Sequence, residues 1–367
     1  MASLRSYGYV LLFGLVAACL VAASGANDAD DIDFDTWMGM MKSNIEKGEN
    51  EVPDQEALDV ADDAVGSQAS GKSRVIVVDK SGKGDFRKIQ QAIDAVPVGN
   101  KKRFVIQIKN GVYREKLLVP KTKANIHFKC SGRRTILVWG DTAEMAGGTS
   151  KSASTAVESD NFLATDCTFV NSAPAPPGGA VGKQAVALRV QGDKAAFYRC
   201  YFYGAQDTLY AKEGRQYYRN CYIQGSIDWI FGNARALFHK CHINSIAFKN
   251  SGSITAQKRE SNKEATGFSF VGCKITGSGT IYLGRAWGTH SRVVFIRCYM
   301  QNMILPIGWQ DWNDPARHKT VYYGEYLCSG PGANRKGRAK WSRALTKKEA
   351  EPFSTVKFIN GKNWLGW

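Results

Sequence analysis

The sequence lacks several features that would point to common protein classes. After residues 10–23, no stretch approaches 18 consecutive apolar residues, which argues against a protein with several membrane-spanning helices. There is no Asn-x-Ser/Thr sequon, so no N-linked glycan is expected. No Cys-x-x-Cys pair or histidine-rich cluster is present, so we expect no metal site. Proline is scarce, with 10 residues, whereas the 37 glycines favour many tight turns between short strands.

The N-terminus has the pattern of a secretory signal peptide. Arg5 precedes a 14-residue apolar run over 10–23, and small residues follow at 24–26. The run is too short to span a membrane comfortably, although an uncleaved signal anchor is the alternative. We therefore predict a signal peptide over 1–26 and a secreted protein that has no membrane attachment after cleavage.

Charge is distributed unevenly along the rest of the chain. Residues 27–67 contain 13 Asp and Glu against 2 Lys, a net charge of −11. Residues 68–367 contain 46 Lys and Arg against 20 Asp and Glu, a net charge of +26. The acidic stretch has few aromatics and no periodicity, so we predict a solvated linker or tail over 27–70, with a short prodomain as the alternative. The basic body predicts a polyanionic partner, and export favours an acidic polysaccharide over nucleic acid.

The folded region is predicted to begin near Val75. Arg74–Val78 is typical of a buried strand. Apolar residues then recur at helical spacing over 85–96, with Asp85 as the expected N-cap and Pro97 as the stop.

A repeat runs through the middle of the chain. Six cysteines each lie in a short aromatic or β-branched string and precede an apolar residue by two positions: Cys167, Cys200, Cys221, Cys241, Cys273 and Cys298. Their spacings of 33, 21, 20, 32 and 25 residues are typical of a solenoid. Strand-rich repeats without a Leu/Asn pattern predict an all-β fold, a parallel β-helix with one coil per repeat and one short N-terminal helix. An ordinary β-sandwich is the alternative.

Stacked coils would bring the cysteines close together. Equivalent residues on neighbouring strands lie about 4.8 Å apart, so Cys200, Cys221 and Cys241 would form a column. The column could be buried thiols or contain a disulfide between neighbouring coils. We expect at least one disulfide in the protein and leave its pairing open.

The same spacing places two carboxylates together. Asp207 and Asp228 each follow a repeat cysteine by seven residues and are 21 residues apart. Two carboxylates on adjacent strands cannot both ionise freely, which suits one acid and one base or nucleophile. A pair of turn-capping aspartates is the alternative.

Two glutamines follow the same register. Gln206 precedes Asp207, and Gln184 lies 22 residues before Gln206. A carboxylate pair alone would also suit a retaining glycosidase. Two amide donors beside it favour stabilisation of an oxyanion, and therefore ester hydrolysis.

Five ordered motifs carry a resemblance to a known family. They are Gly111-Val-Tyr-Arg-Glu115, Gln184-Ala-Val-Ala-Leu-Arg189, Gly204-Ala-Gln-Asp-Thr-Leu-Tyr210, Asp228-Trp-Ile-Phe-Gly-Asn233 and Leu283-Gly-Arg-Ala-Trp287. In these motifs the sequence resembles plant pectin methylesterases, in the form without the large inhibitory prodomain. The resemblance implies a right-handed parallel β-helix and one catalytic domain over 71–367.

The resemblance also implies roles for site residues. Asp228 matches the nucleophile, and Asp207 matches the acid that protonates methanol and then the base that activates water. Gln184 and Gln206 match the oxyanion-stabilising amides, and Arg285 matches the cation that orients Asp228. The implied substrate-binding residues are Gln184, Arg285, Trp287, Tyr210, Phe231 and, by a looser match, Thr149.

The implied activity is removal of methyl esters from galacturonate units of pectin in the cell wall or apoplast. No cofactor is implied, the chain is expected to be a monomer, and a proteinaceous inhibitor is a further implied partner. A β-helix pectin glycosidase or lyase and a non-catalytic wall-binding protein are the alternatives. A lyase would need clustered carboxylates for Ca²⁺, which the sequence does not present.

Two residues depart from the family pattern near the expected cleft. Ala286 stands where proline is commoner, and Lys258 stands where a small residue or histidine is frequent. Both flank the cleft, where they could tune affinity for free carboxylates.

Overall fold

The computed structural model describes residues 74–177, 179–248 and 252–366. The predicted signal peptide over 1–26 and the predicted acidic segment over 27–70 lie outside the described residues. Within the described ranges, no helix has the length and apolar character needed to cross a membrane.

The described residues form three parallel sheets, with strands numbered in chain order. Sheet 1 contains, in spatial order, β1 (Arg74–Val78), β2 (Phe104–Ile108), β5 (Ile126–Cys130), β8 (Leu163–Thr165), β11 (Ala195–Tyr198), β14 (Arg215–Arg219), β17 (Arg235–His239), β20 (Gly267–Val271), β23 (Arg292–Ile296), β26 (Tyr322–Tyr326) and β27 (Arg343–Ala344). Sheet 2 contains β3 (Gly111–Arg114), β6 (Thr135–Trp139), β9 (Thr168–Asn171), β12 (Tyr201–Tyr203), β15 (Tyr222–Gly225), β18 (His242–Ile246), β21 (Lys274–Ser278) and β24 (Tyr299–Met300). Sheet 3 contains β4 (Leu117–Val119), β7 (Thr155–Val157), β10 (Leu188–Val190), β13 (Leu209–Ala211), β16 (Ile227–Gly232), β19 (Ser253–Gln257), β22 (Tyr282–Arg285) and β25 (Trp309–Gln310).

Successive coils pair in register, which makes the fold the parallel β-helix that the repeat predicts. In sheet 3, Leu188 pairs with Leu209, which in turn pairs with Ile230, and all three side chains are fully buried. The next residues along these strands, including Tyr210 and Phe231, point to the other face, because strand side chains alternate. Every second residue along these strands therefore contributes its side chain to the outer face of sheet 3.

A column of aromatic rings fills the inside of the solenoid. Phe197, Tyr218, Phe238, Phe270 and Phe295 occupy equivalent positions of successive strands in sheet 1. Their rings stack with centroid distances of 4.9, 4.7, 4.5 and 4.6 Å. Each coil thus buries large apolar area against its neighbours, which a single coil could not do alone.

The cysteines form a second column, at the corner between sheets 1 and 2. Eight cysteines lie at or just after the ends of eight consecutive strands of sheet 1: Cys130, Cys167, Cys200, Cys221, Cys241, Cys273, Cys298 and Cys328. The residue before each of the last seven has a positive φ, which turns the chain between the sheets: Asp166, Arg199, Asn220, Lys240, Gly272, Arg297 and Leu327. The corner geometry therefore repeats in every one of these coils.

One pair of the column is bonded. Cys130 and Cys167 form a disulfide, so the expectation of at least one disulfide is confirmed. The alternative of a disulfide among Cys200, Cys221 and Cys241 is wrong, because all three are buried free thiols. The Sγ of Cys221 instead lies 3.5 Å from the Phe197 carbonyl of the preceding coil.

The N-terminal helix is shorter than predicted and is capped differently. Helix α1 spans Ile89–Ala95 and ends before Pro97, as expected. Asp85 is not its N-cap: the Asp85 carboxylate accepts a hydrogen bond from the Val77 amide instead. The Glu115 carboxylate, from the next coil, accepts from the amides of Ile89 and Gln90 at 2.9 and 3.0 Å. A carboxylate at this end also complements the helix dipole.

The C-terminal segment covers the outer face of sheet 1. Helices α2 (Ala143–Ala146) and α3 (Lys347–Ala350) complete the α-helices of the described residues, and 3₁₀ turns follow α3. Phe353 and Phe358 pack with Tyr217 and Leu237 of sheet 1. These aromatic residues do not cover the outer face of sheet 3, which carries the predicted site residues.

The cysteine column yields a first prediction. If residues 1–26 are removed as predicted, the native chain should expose at most one reactive thiol, because five of its six free cysteines are buried and Cys328 is half-buried. Denaturation without reductant should release six thiols per chain, measured with a thiol-specific chromophore. If the denatured chain released four thiols or fewer, two further cysteines of the column would be disulfide-bonded, contrary to this structure.

Candidate active site

All nine predicted site residues line one open pocket on the outer face of sheet 3. The pocket has a volume of about 440 Å³ and is lined by Thr149, Ser150, Gln184, Gln206, Asp207, Tyr210, Asp228, Phe231, Ala256, Arg285, Trp287 and Trp312. The structure therefore brings these side chains together, and their chemical roles stay predictions.

The coil register brings the two aspartates side by side. Gln206 forms a parallel bridge with Ile227, and the Asp207 amide donates to the Ile227 carbonyl at 3.0 Å. Asp207 and Asp228 are thus neighbours on adjacent coils, as the 21-residue spacing predicts. A bulge in β16 between Ile227 and Ile230 interrupts its pairing with β19 at this point. Bulges of this kind redirect a side chain.

Both aspartates have left-handed backbone conformations. The φ angles of Asp207 and Asp228 are 65° and 48°. Asp tolerates this region better than most residues, yet it still costs roughly 1 kcal/mol or more per residue. The surrounding strands hold both residues in this conformation, which turns the two carboxylates towards the pocket.

The two glutamines are aligned by the same hydrogen bonding. The Ala185 amide donates to the Gln206 carbonyl at 3.0 Å, which places Gln184 and Gln206 on adjacent coils. Within the described part of the chain, the Gln206 side-chain oxygen is buried without a hydrogen-bond partner. The side-chain NH₂ groups of Gln184 and Gln206 have no acceptor among the described residues, so both can donate to a ligand in the pocket.

Arg285 holds Asp228 through two hydrogen bonds. Its Nε donates to Asp228 Oδ1 at 2.9 Å, and its Nη2 donates to Oδ2. Arg285 reaches Asp228 from two coils away, since Phe231 pairs with Ala256 and Ala256 with Arg285. Burial lowers the pKa of Arg285, but its hydrogen bonds and charge interaction with Asp228 outweigh that effect and raise it. Arg285 therefore presents a positive charge to both carboxylate oxygens of Asp228.

Asp207 is in the opposite electrostatic position. Burial raises its pKa well above the usual value, the negative charge of Asp228 raises it further, and Arg285 opposes both effects. Only 8% of its surface is exposed. Asp207 therefore keeps its proton to a higher pH than an ordinary carboxyl group and can act as an acid.

An aromatic wall closes one side of the pocket. Tyr210 and Phe231 pair in register, and their rings stack with centroids 4.2 Å apart. The Trp287 ring packs against Phe231 at 6.2 Å. Flat apolar surfaces beside polar donors suit a sugar ring with one reacting carbonyl.

Three lining residues were not predicted from the sequence. Ala256 lies in register between Phe231 and Arg285, so the repeat could have identified it. Ser150 directly follows Thr149. The Trp312 ring lies 4.4 Å from the Arg285 guanidinium and supports its orientation, but Trp312 is outside the repeat. No group of three or more potential metal-binding side chains occurs among the described residues.

Comparisons with known proteins show which family the chain resembles. The Pectinesterase family model matches residues 75–362. Pectinesterase QRT1 of Arabidopsis thaliana is 48% identical over 306 residues, covering 81% of this chain and 80% of that protein. Putative pectinesterase 14 of the same plant is 46% identical, covering 80% and 89%. The solved structure of a pectin methylesterase from carrot is 37% identical, with a TM-score of 0.75 and coverage of 81% and 96%. The predicted right-handed parallel β-helix is thereby confirmed.

The raised pKa of Asp207 predicts a stability effect. The folded chain binds this proton up to a higher pH than the unfolded chain, so the free energy of unfolding falls as pH rises above about 3.9. Asp207→Asn removes this penalty. We expect the variant to have a higher Tm than the wild type at pH 7, with the difference narrowing towards pH 4.

Thermal unfolding followed by circular dichroism across this pH range provides the measurement. Asp94→Asn is the matched control, because Asp94 is exposed on α1, and it should show no such pH-dependent difference. Equal Tm values for the wild type and Asp207→Asn at every pH would contradict the prediction.

Proposed function

The chain belongs to the pectinesterase family, and from this premise we propose that it hydrolyses methyl esters of galacturonate units in pectin. The observation that supports the assignment of roles is the unequal treatment of the two neighbouring carboxylates. Asp228 is bound through both oxygens by Arg285, while burial and Asp228 raise the pKa of Asp207. One ionised nucleophile and one protonated acid are what ester cleavage by a carboxylate pair requires.

In the first half of the reaction, an Asp228 oxygen attacks the carbonyl carbon of the methyl ester. The carbonyl oxygen becomes an oxyanion, which accepts hydrogen bonds from the Gln184 and Gln206 side-chain amides. The tetrahedral intermediate collapses as the carbon–methoxy bond breaks. Asp207 transfers its proton to the departing oxygen, which leaves as methanol, and an acyl anhydride with Asp228 remains.

In the second half, Asp207 is ionised and takes a proton from a water molecule. The water oxygen attacks the galacturonyl carbon of the anhydride, and the same two amides stabilise the second oxyanion. The bond to Asp228 then breaks. Asp228 returns as a carboxylate, Asp207 is again protonated, and the product is a galacturonic acid unit, which ionises in water.

A glycosidase or lyase is supported less well. A glycosidase places its acid on the glycosidic oxygen and stabilises an oxocarbenium ion, for which two amide donors at the carboxylate pair have no evident use. A pure binding protein would not need a strained, bulged carboxylate pair. The ester hydrolase is therefore the function we propose.

We also propose that the protein acts outside the cell, in the cell wall or apoplast. The N-terminal signal pattern and the net charge of +26 over residues 68–367 support this, because de-esterified pectin is a polyanion. Monomeric state and binding of a proteinaceous inhibitor stay predictions of the family resemblance.

Replacing the nucleophile should abolish turnover. Asp228→Asn keeps the side-chain shape but removes the attacking carboxylate, so methanol release from methylated pectin should fall at least 1,000-fold. Methanol and new reducing ends are measured together, and the wild type should produce methanol without new ends. Asp94→Asn serves as the exposed control and should retain wild-type turnover.

Two results would count against this proposal. Methanol release by Asp228→Asn at more than a tenth of the wild-type rate would exclude Asp228 as the nucleophile. New reducing ends without methanol, from the wild type, would indicate chain cleavage in place of ester hydrolysis.

Removing one oxyanion donor should act on the transition state. Gln206→Ala is expected to lower kcat by roughly 100- to 1,000-fold while KM changes little, because the donor matters most once the oxyanion forms. Steady-state methanol release gives both constants. Gln107→Ala, a half-buried glutamine on β2 of sheet 1, is the matched control and should leave both unchanged. An effect of Gln206→Ala on KM alone would assign Gln206 to substrate binding only.

A further inference from the structure

A lysine packs against a ring that lines the pocket, and the mechanism proposed above does not use it. Lys258 directly follows β19, and its backbone amide donates to the Gly232 carbonyl at 2.8 Å. Its ammonium nitrogen lies 4.7 Å from the centroid of the Trp287 ring. Because the Trp287 ring lines the pocket, the positive charge of Lys258 is held against one wall of the pocket.

The backbone fixes this arrangement. The Gly288 amide donates to the Gln257 carbonyl at 3.0 Å, which aligns Lys258 with Trp287 on the next coil. A Cβ atom at Gly288 would lie 2.3 Å from the Arg259 carbonyl oxygen, so only glycine permits this close approach. The Lys258 side chain is thereby positioned under the Trp287 ring.

Lys258 has no carboxylate partner in residues 74–177, 179–248 and 252–366. The nearest acidic residue in sequence, Glu260, is engaged elsewhere: its carboxylate accepts from the amide and hydroxyl of Thr289 at 3.0 and 3.2 Å. By contrast, Arg189 on the same outer face of sheet 3 is paired with Glu158 at 2.9 Å. An ammonium held by a ring face on one side retains N–H donors for an anion on the other.

We propose that Lys258 binds the free carboxylate of a galacturonate unit near the unit whose ester is cleaved. This inference rests on the proposed function, since it deepens the substrate class of the same site. A carboxylate would gain a charge-assisted hydrogen bond from Lys258, whereas the neutral methyl ester would not. Lys258 therefore discriminates between esterified and de-esterified neighbours of the reacting unit.

Carboxylate binding by Lys258 should make the substrate better as the reaction proceeds. Each hydrolysed ester creates a carboxylate that Lys258 can bind when the chain shifts in the cleft. Partially de-esterified pectin should then be a better substrate than fully methylated pectin. The preference should weaken at high ionic strength, because salt screens a partly exposed ion pair.

The activity test compares two substrates for each variant. The ratio of kcat/KM for partially de-esterified to fully methylated oligogalacturonate should fall about fivefold in Lys258→Gln, as expected for one partly exposed ion pair. Lys258→Arg keeps the positive charge and should retain much of the wild-type ratio. Lys274→Gln, an exposed lysine on β21 of sheet 2, is the matched control and should leave the ratio unchanged. A wild-type ratio in Lys258→Gln would overturn the proposal.

A binding test separates this inference from the proposed function. Calorimetry with unesterified hexagalacturonate needs no turnover, and its Kd should rise about fivefold in Lys258→Gln but not in Lys274→Gln. An unchanged Kd in Lys258→Gln would overturn the role of Lys258, even if methanol release is normal. If the wild type releases no methanol, the proposed function fails, while the calorimetric result still decides whether Lys258 binds carboxylate.

Discussion

The in-register hydrogen bonding between successive coils is the constraint on which the site depends. This hydrogen bonding stacks the aromatic column inside the solenoid. It also aligns the outward-facing side chains of successive strands. Asp207 and Asp228 are neighbours because Gln206 and Ile227 bridge their coils. Arg285 reaches Asp228 for the same reason, across one intervening strand. Residues far apart in sequence therefore form one rigid constellation without any loop having to close over it.

The two carboxylates then have different electrostatic surroundings. The guanidinium of Arg285 is hydrogen-bonded to Asp228. Asp207 is buried beside the negative charge of Asp228. The site is less stable than an apolar alternative would be, because one carboxyl group is desolvated and both aspartates have strained backbones. This is the usual relation between a functional site and the fold that carries it: the surrounding sheets supply the stability that the site lacks.

The sequence predicts best what the repeat encodes. Local strings around the cysteines are similar from coil to coil, so strand positions and the juxtaposition of Asp207 with Asp228 follow from counting residues. Contacts made by groups outside the repeat could not be obtained in this way. The cap of α1 comes from Glu115, on another coil, and not from the adjacent Asp85. Trp312 supports Arg285 from a connecting segment whose path no periodicity specifies.

The 21-residue interval between the two aspartates has a consequence for how such a protein can vary in length. Inserting or deleting one residue between Asp207 and Asp228 would turn the following strand over and exchange its core and pocket faces. The turn at 260–265, between β19 and β20, is mostly exposed and does not set the register between the two aspartates. Changes in length should therefore be tolerated better in turns of this kind than in the coil between the two aspartates, where the spacing of the chain keeps both side chains on the pocket face.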